Sequence, residues 1–159
     1  MTWSIRSIAA DEASCLLALN LQVHALHVEA RPDDYRPVSD QDELRAFFSD
    51  WLSKEETSGL VAFSPDGTAL GYLIFEVVDR APSLLKNERR YGMLHHIAVD
   101  PGSRRSGIGF ALINEMKARL RKEGIDRVRT VYAAFNAPSA ALMRKAGLEP
   151  YNIIVEGSA

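Results

Sequence analysis

Leu94-His95-His96-Ile97-Ala98-Val99, closed by Asp100-Pro101-Gly102, leads into Arg104-Arg105-Ser106-Gly107-Ile108-Gly109 and then an amphipathic stretch to Lys122. An apolar run, a tight loop and a helical repeat in that order predict a strand, a turn and a helix. A helix start leaves its first N–H groups without internal partners, and its dipole places partial positive charge there. Gly107 and Gly109 carry no Cβ, so a bulky anion can approach the backbone closely. The junction is therefore suited to cradling phosphate oxygens, with Arg104 and Arg105 beside it.

Outward from this junction the pattern is that of one mixed α/β domain spanning residues 1–159. Upstream, strands are expected over 3–8, 59–64, 69–79 and 91–99. Pro65-Asp66-Gly67-Thr68 joins two of them as a hairpin turn, and residues 80–90 form a polar connection. One helix runs from a cap at Asp11 to about Glu29, with Leu16, Leu19, Val23, Leu26 and Ala30 as its stripe. A second, capped by Ser39 or Asp40, runs to about Ser53 and buries Leu44, Phe47, Phe48, Trp51 and Leu52. The two prolines of Arg31-Pro32-Asp33-Asp34-Tyr35-Arg36-Pro37 make the segment between them a loop. Downstream of the glycine loop come a helix to about Glu123 with Gly124 as its terminal cap and a strand over 126–135. A helix over 138–146 closed by Gly147 and a last strand over 148–155 complete the chain.

The 159 residues suffice for a substantial core, and 47% apolar with 25% charged residues is ordinary for a globular protein. A net charge of −2 gives no bulk attraction to nucleic acid or anionic membrane. The basic residues Lys86, Arg89, Arg90 and those from Lys117 to Arg129 are read as solvated surface. Met1-Thr2-Trp3-Ser4-Ile5-Arg6 lacks the apolar core of a signal peptide, and no stretch reaches membrane-spanning length. The single cysteine, Cys15, reads as a buried thiol in a reducing compartment, so a cytoplasmic location is expected. Neither G-x-G-x-x-G nor a P-loop Gly-Lys-Ser/Thr occurs, which excludes the usual dinucleotide and nucleoside triphosphate loops.

Two motifs resemble those of the GNAT superfamily of N-acetyltransferases. Arg104, Gly107 and Gly109 match its acetyl-coenzyme A motif. Asn136, Ser139, Leu142 and Gly147 match its second signature, with Leu148 standing where an aromatic residue is usual. The resemblance covers essentially the whole chain. It implies a central mixed, mostly antiparallel twisted sheet flanked by helices, with two strands splayed at the cofactor site. Acetyl-coenzyme A is then the co-substrate and an amine of a small molecule or protein the acceptor. Neither nucleic acid nor membrane is an expected partner, and the family commonly forms homodimers.

Residue by residue, the resemblance assigns the pyrophosphate to N–H groups of Arg105, Ser106, Gly107, Ile108, Gly109 and Phe110. The pantetheine amides fall to Ile97, Ala98 and Val99, with Ile97 or Ala98 polarising the thioester carbonyl. Asn136 would bond the cofactor arm, cap the next helix, or both. Ser139 and Met143 lie in the same contact set.

Attack by an amine needs a proton acceptor, because an ammonium of pKa about 10.4 is almost wholly protonated at neutral pH. The family often places a carboxylate where this chain has His95, a residue suited to base work near neutrality. His95 reads either as that base or as a histidine packed locally. Strand alternation sends His95 and His96 to opposite faces, so only one would reach the acceptor. Met143 stands where many relatives carry a tyrosine that protonates the leaving thiolate, and a thioether has no proton to give. Tyr132 and Tyr35 are the available substitutes. A thiolate, whose acid has a pKa of about 8.5, leaves tolerably unaided. A non-catalytic acyl-coenzyme A-binding module is therefore the alternative reading.

His24 and His27 stand three apart on a helix, but no third ligand is spaced to complete a metal site, and none is expected. Asp33, Asp34 and Tyr35 border the acceptor side of the family's fold, where the acids either attract an amine or are solvated. Phe47, Phe48 and Trp51 read as core or as a wall of that pocket.

Overall fold

In the computed structural model, which describes residues 2–158, five strands pair in chain order into one sheet. They are Ser4–Ile8 (β1), Thr57–Phe63 (β2), Ala69–Arg80 (β3), Arg89–Val99 (β4) and Val128–Thr130 (β5). The first three junctions are antiparallel, and β4 to β5 is parallel. Four helices cover the sheet: Leu17–Ala30 (α1), Gln41–Leu52 (α2), Ile108–Lys122 (α3) and Ala137–Lys145 (α4).

The sheet is buried on both faces at its centre, so β2 and β3 read as nearly continuous apolar runs rather than alternating ones. One face sets Leu60, Leu73, Phe75 and Leu94 against Ile108, Leu112, Met116 and Leu120 of α3. The other sets Val61, Tyr72, Ile74 and Ala98 against Leu16, Leu19 and Phe48. α3 lies so close to β4 that a Cβ on Gly92 would come within 2.4 Å of Leu120 Cδ1.

Several expected boundaries move. Asp11 does not cap a long first helix: Ala10–Leu16 is a 3-10 segment, and α1 starts only at Leu17. Glu12 is the reason, since its carboxylate takes the Ala9 N–H at 2.9 Å and pairs with Arg6 at 2.7 Å, tightening that turn. Leu26 ends on the surface rather than in the stripe. Asp40, not Ser39, caps α2, its Oδ1 accepting the N–H groups of Asp42 and Glu43 at 2.8 and 3.3 Å.

β5 is three residues long rather than ten, and residues 148–158 form no strand. Pro150 has no N–H to give a ladder, and the β-branched run Ile153-Ile154-Val155 stays exposed. This tail is held by side chains instead. Tyr151 stacks on Arg129 at 4.6 Å, and Glu156 pairs with Arg31 at 2.7 Å. Cys15 is partly rather than fully buried, and burial pushes its thiol pKa up, which suits an inert thiol. Among the described residues, no helix is long and apolar enough to cross a membrane.

Candidate active site

The register of β3 against β4 slips by one residue between Ile74 and Phe75. Ile74 faces His96 and Phe75 faces Leu94, which leaves His95 as the extra residue of a bulge. Alternation is suspended there. His95 and His96 therefore do not point to opposite faces: both rings meet Trp51 of α2 edge-on, each at 5.2 Å. The expectation that only one of them could face the acceptor side is corrected by that single inserted residue.

Behind His95 stands a residue that the sequence reading passed over. Glu76 of β3 accepts a hydrogen bond from His95 Nε2 at 2.9 Å through Oε2. Its Oε1 accepts from the Trp51 indole N–H and, at 3.4 Å, from Thr57 Oγ1. Burial pushes the Glu76 carboxyl pKa up, but the Trp51 bond and the adjacent His95 outweigh it and hold the group below its ordinary value. Glu76 is thus an anion at neutral pH. The signal available in the sequence was a lone carboxylate inside the otherwise apolar run 69–78.

His96 is the more deeply placed ring. Its Nδ1 lies 3.5 Å from both Tyr72 Oη and Asn20 Nδ2, and Asn20 donates to Tyr72 Oη at 2.9 Å. Burial, then the neighbouring His95, His27 and His24, press its pKa down to about 4. Burial raises that of Tyr72 to about 12. His96 and Tyr72 are both neutral, so neither is a base at working pH.

The shift of His96 carries a stability prediction. Its folded pKa lies below the unfolded value of about 6.5, so the unfolded chain takes the proton first. The stabilisation is complete above pH 6.5 and is lost as pH falls towards 4, by up to about 3 kcal/mol for this one group. Urea midpoints at pH 7 and pH 4.5 should lie further apart in the parent than in His96→Gln. Equal pH dependence in the two proteins would contradict the assignment.

The open edge lies next to this cluster. β5 pairs with β4 only at Gly92, Met93 and Leu94, and Thr130 Oγ1 closes the ladder on the Leu94 carbonyl at 3.0 Å. From His95 to Val99 the outer edge of β4 pairs with no strand among the described residues. Asp100 N–H bonds the Leu70 carbonyl at 2.9 Å, which sets the parity of the β3–β4 ladder. Ala98 and His96 therefore direct their main-chain groups to Tyr72 and Ile74, whereas Ile97 and Val99 turn theirs outward. Ala98 is thereby removed from the set of edge groups available to a ligand.

Past Val99 the chain turns through Pro101–Ser103 into the glycine loop. Arg105 has φ of 60° and Gly107 φ of 88°, two left-handed positions that turn successive amides towards the same side. The first bond of α3 at this end runs from Ala111 N–H to the Gly107 carbonyl. Among the described residues, the N–H groups of Arg105, Ser106, Gly107, Ile108, Gly109 and Phe110 meet no backbone acceptor. The Ser106 hydroxyl bonds the Ser103 carbonyl and braces the turn. Arg104 and Arg105 are exposed and pair with no carboxylate among the described residues. Gly109 has a reason other than anion approach: a Cβ there would come 3.1 Å from Leu142 of α4, so it lets α4 pack on α3.

α4 begins where expected. Asn136 caps it, Oδ1 accepting the Ser139 N–H at 3.1 Å, so the helix-cap role of Asn136 is formed. Met143 is corrected: it is 2% exposed in the core against α3 and offers no surface to a cofactor. Tyr132 is exposed beyond β5. The Tyr35 ring sits 5.2 Å from His27, which is itself 5.5 Å from Phe135. His24 Nε2 donates to the Arg36 carbonyl at 2.7 Å, tying the 31–37 loop to α1, whereas His27 Nδ1 bonds the Val23 carbonyl of its own helix at 3.0 Å. Asp34 pairs with Arg31 at 2.8 Å. The aromatic cluster divides: Phe48 is fully buried, Phe47 is 54% exposed, and the partly buried Trp51 lies between the core and both histidines.

A family model described as Acetyltransferase (GNAT) family matches residues 22–148, a span containing the bulge, the glycine loop and α4. The chain belongs to the GNAT acetyltransferase family. Among curated relatives, a mycothiol acetyltransferase of Beutenbergia cavernae is 28% identical over 148 residues, 92% of this chain and 45% of the relative. The GNAT chain thus spans less than half the length of that relative. Among solved structures, a tetramutant of the BH1408 protein from Bacillus halodurans superposes with a TM-score of 0.90 at 20% identity. It covers 98% of this chain and 99% of its own. The aminoglycoside acetyltransferase AAC(6')-Iy, in complex with a CoA-S-monomethyl-acetylneamine bisubstrate analog, superposes with a TM-score of 0.75 at 17% identity, over 100% and 99% of the two chains. At such identities these structures speak for the GNAT fold alone.

Proposed function

We propose that this GNAT acetyltransferase moves the acetyl group of acetyl-coenzyme A to an amine by direct attack. The observation that carries the reading is the open outer edge of β4 from His95 to Val99, ending at a helix start whose N–H groups are free. A diphosphate fits the amides of Arg105 to Phe110, with Arg104 and Arg105 adding charge. An extended pantetheine arm fits the outward groups of Ile97 and Val99 as an added strand would. Acetyl-coenzyme A supplies the activated thioester. The outward N–H of Ile97 lies where negative charge would develop on the thioester oxygen. His95 Nδ1 accepts the ammonium proton of the acceptor, the freed amine forms the C–N bond as the C–S bond breaks, and the second nitrogen proton passes through solvent to the released thiolate, leaving amide and free thiol. No side chain replaces the family's tyrosine at Met143, so the thiolate leaves without a donor at that position.

Curated and structural neighbours that acetylate aminoglycosides or serve mycothiol chemistry suggest a small polar amine as the acceptor. The test is thiol release from acetyl-coenzyme A over a panel of aminoglycosides, amino sugars, polyamines and peptides. Acceptor-dependent release above hydrolysis is expected. Tight cofactor binding with no acceptor-dependent release from any amine would favour the acyl-coenzyme A-binding module, for which the buried Met143 is the supporting observation.

A further inference from the structure

We infer that Glu76 is a positioning residue that selects the tautomer of His95, fixing the proton on Nε2 so that Nδ1 is the basic atom. The inference rests on the proposed role of His95, but its own evidence is geometric. The bulge lifts His95 out of the alternating ladder and turns its ring to the Trp51 side, where Glu76 Oε2 meets Nε2 at 2.9 Å. A carboxylate only accepts, so the shared hydrogen resides on Nε2. Nδ1 meets no protein donor or acceptor among the described residues, and the side chain keeps 30% exposure.

Glu76 is held in place for this task. Its Oε1 takes the Trp51 indole N–H and the Thr57 hydroxyl, so the carboxylate is fixed from α2 and β2 at once. Trp51 also packs its ring edge-on against His95, so one side chain orients both members of the pair. The groups facing His95 are Glu76 from β3, Trp51 from α2, and neutral His96 on β4, with His24 and His27 on α1 beyond. Glu76 is the one anion in that set. Its carboxylate therefore faces the imidazolium that forms when His95 takes the acceptor's proton and holds the ring in one orientation.

Long-range 1H–15N correlation of ring nitrogens in 15N-histidine-labelled parent protein reads the tautomer without any substitution. Neutral His95 is expected as the Nε2–H form, and an Nδ1–H form overturns the inference. Glu76→Gln, whose amide can donate to the ring, is expected to shift His95 towards Nδ1–H. It should lower kcat by about 10- to 100-fold with the KM for acetyl-coenzyme A unchanged. Glu76→Asp should recover part of both. A parent-like tautomer and kcat in Glu76→Gln would overturn it, since a purely structural carboxylate would change only stability. If His95→Ala leaves the pH profile intact, the His95 base reading itself fails. If His95→Ala abolishes the acidic limb of kcat/KM while Glu76→Gln keeps the parent's tautomer, only the present inference fails.

Discussion

His95→Ala is expected to lower kcat by about 10²- to 10⁴-fold near neutral pH, the usual contribution of a positioned base. Affinity for acetyl-coenzyme A should not change, because the ring projects towards Trp51 and Glu76 while the outer edge of β4 is built from main-chain groups. The alanine methyl has no proton capacity, and His96 cannot substitute, since at a pKa of about 4 it is a poor acceptor for an ammonium proton. The deficit should shrink as pH rises, because a growing share of the acceptor is then already deprotonated. Steady-state kinetics from pH 6 to 9.5 would show this. A rate loss independent of pH would point to packing instead of proton transfer.

Gly107→Val should cost acetyl-coenzyme A at least about 100-fold in affinity and the fold about 1–2 kcal/mol. At φ of 88° an L-residue is strained even though a Cβ there would meet open space, and a β-branched one is strained most. The loop would relieve the strain by turning its peptide groups, and the amides of Arg105 to Phe110 would no longer converge. Gly107→Ala should fall between the two. Calorimetric titration with acetyl-coenzyme A, beside a urea melt, separates loss of the cradle from loss of the fold. Parent-like affinity in Gly107→Val would remove the loop from the binding account.

What was legible in the sequence is what local chemistry determines. The run 94–99, the glycines and the repeat of Leu112, Met116 and Leu120 specify strand, turn and helix within one short segment. Asn136 before Ala137-Pro138 marks the start of α4 in the same way. The misreadings share a cause: each depends on a distant partner. A bulge at His95 is defined only by the register of β3, so a strict period of two placed the histidines on opposite faces. Glu76 acquires meaning only through Trp51 and His95, from other elements. The packing role of Gly109 likewise depends on Leu142, from α4. Residues 148–155 have β-strand composition, yet among the described residues they pair with no strand.

The most direct test of the central claim is the melting temperature of the parent protein with and without acetyl-coenzyme A. At a ligand concentration of 100 Kd the expected stabilisation is about 2.7 kcal/mol, a rise of roughly 5–10 °C for a domain of this size. ATP and NAD carry phosphates but no pantetheine arm to lie along Ile97 and Val99, and should leave the melting temperature where it was. A rise with acetyl-coenzyme A alone is the predicted result. An unchanged melting temperature at saturating acetyl-coenzyme A would contradict the account.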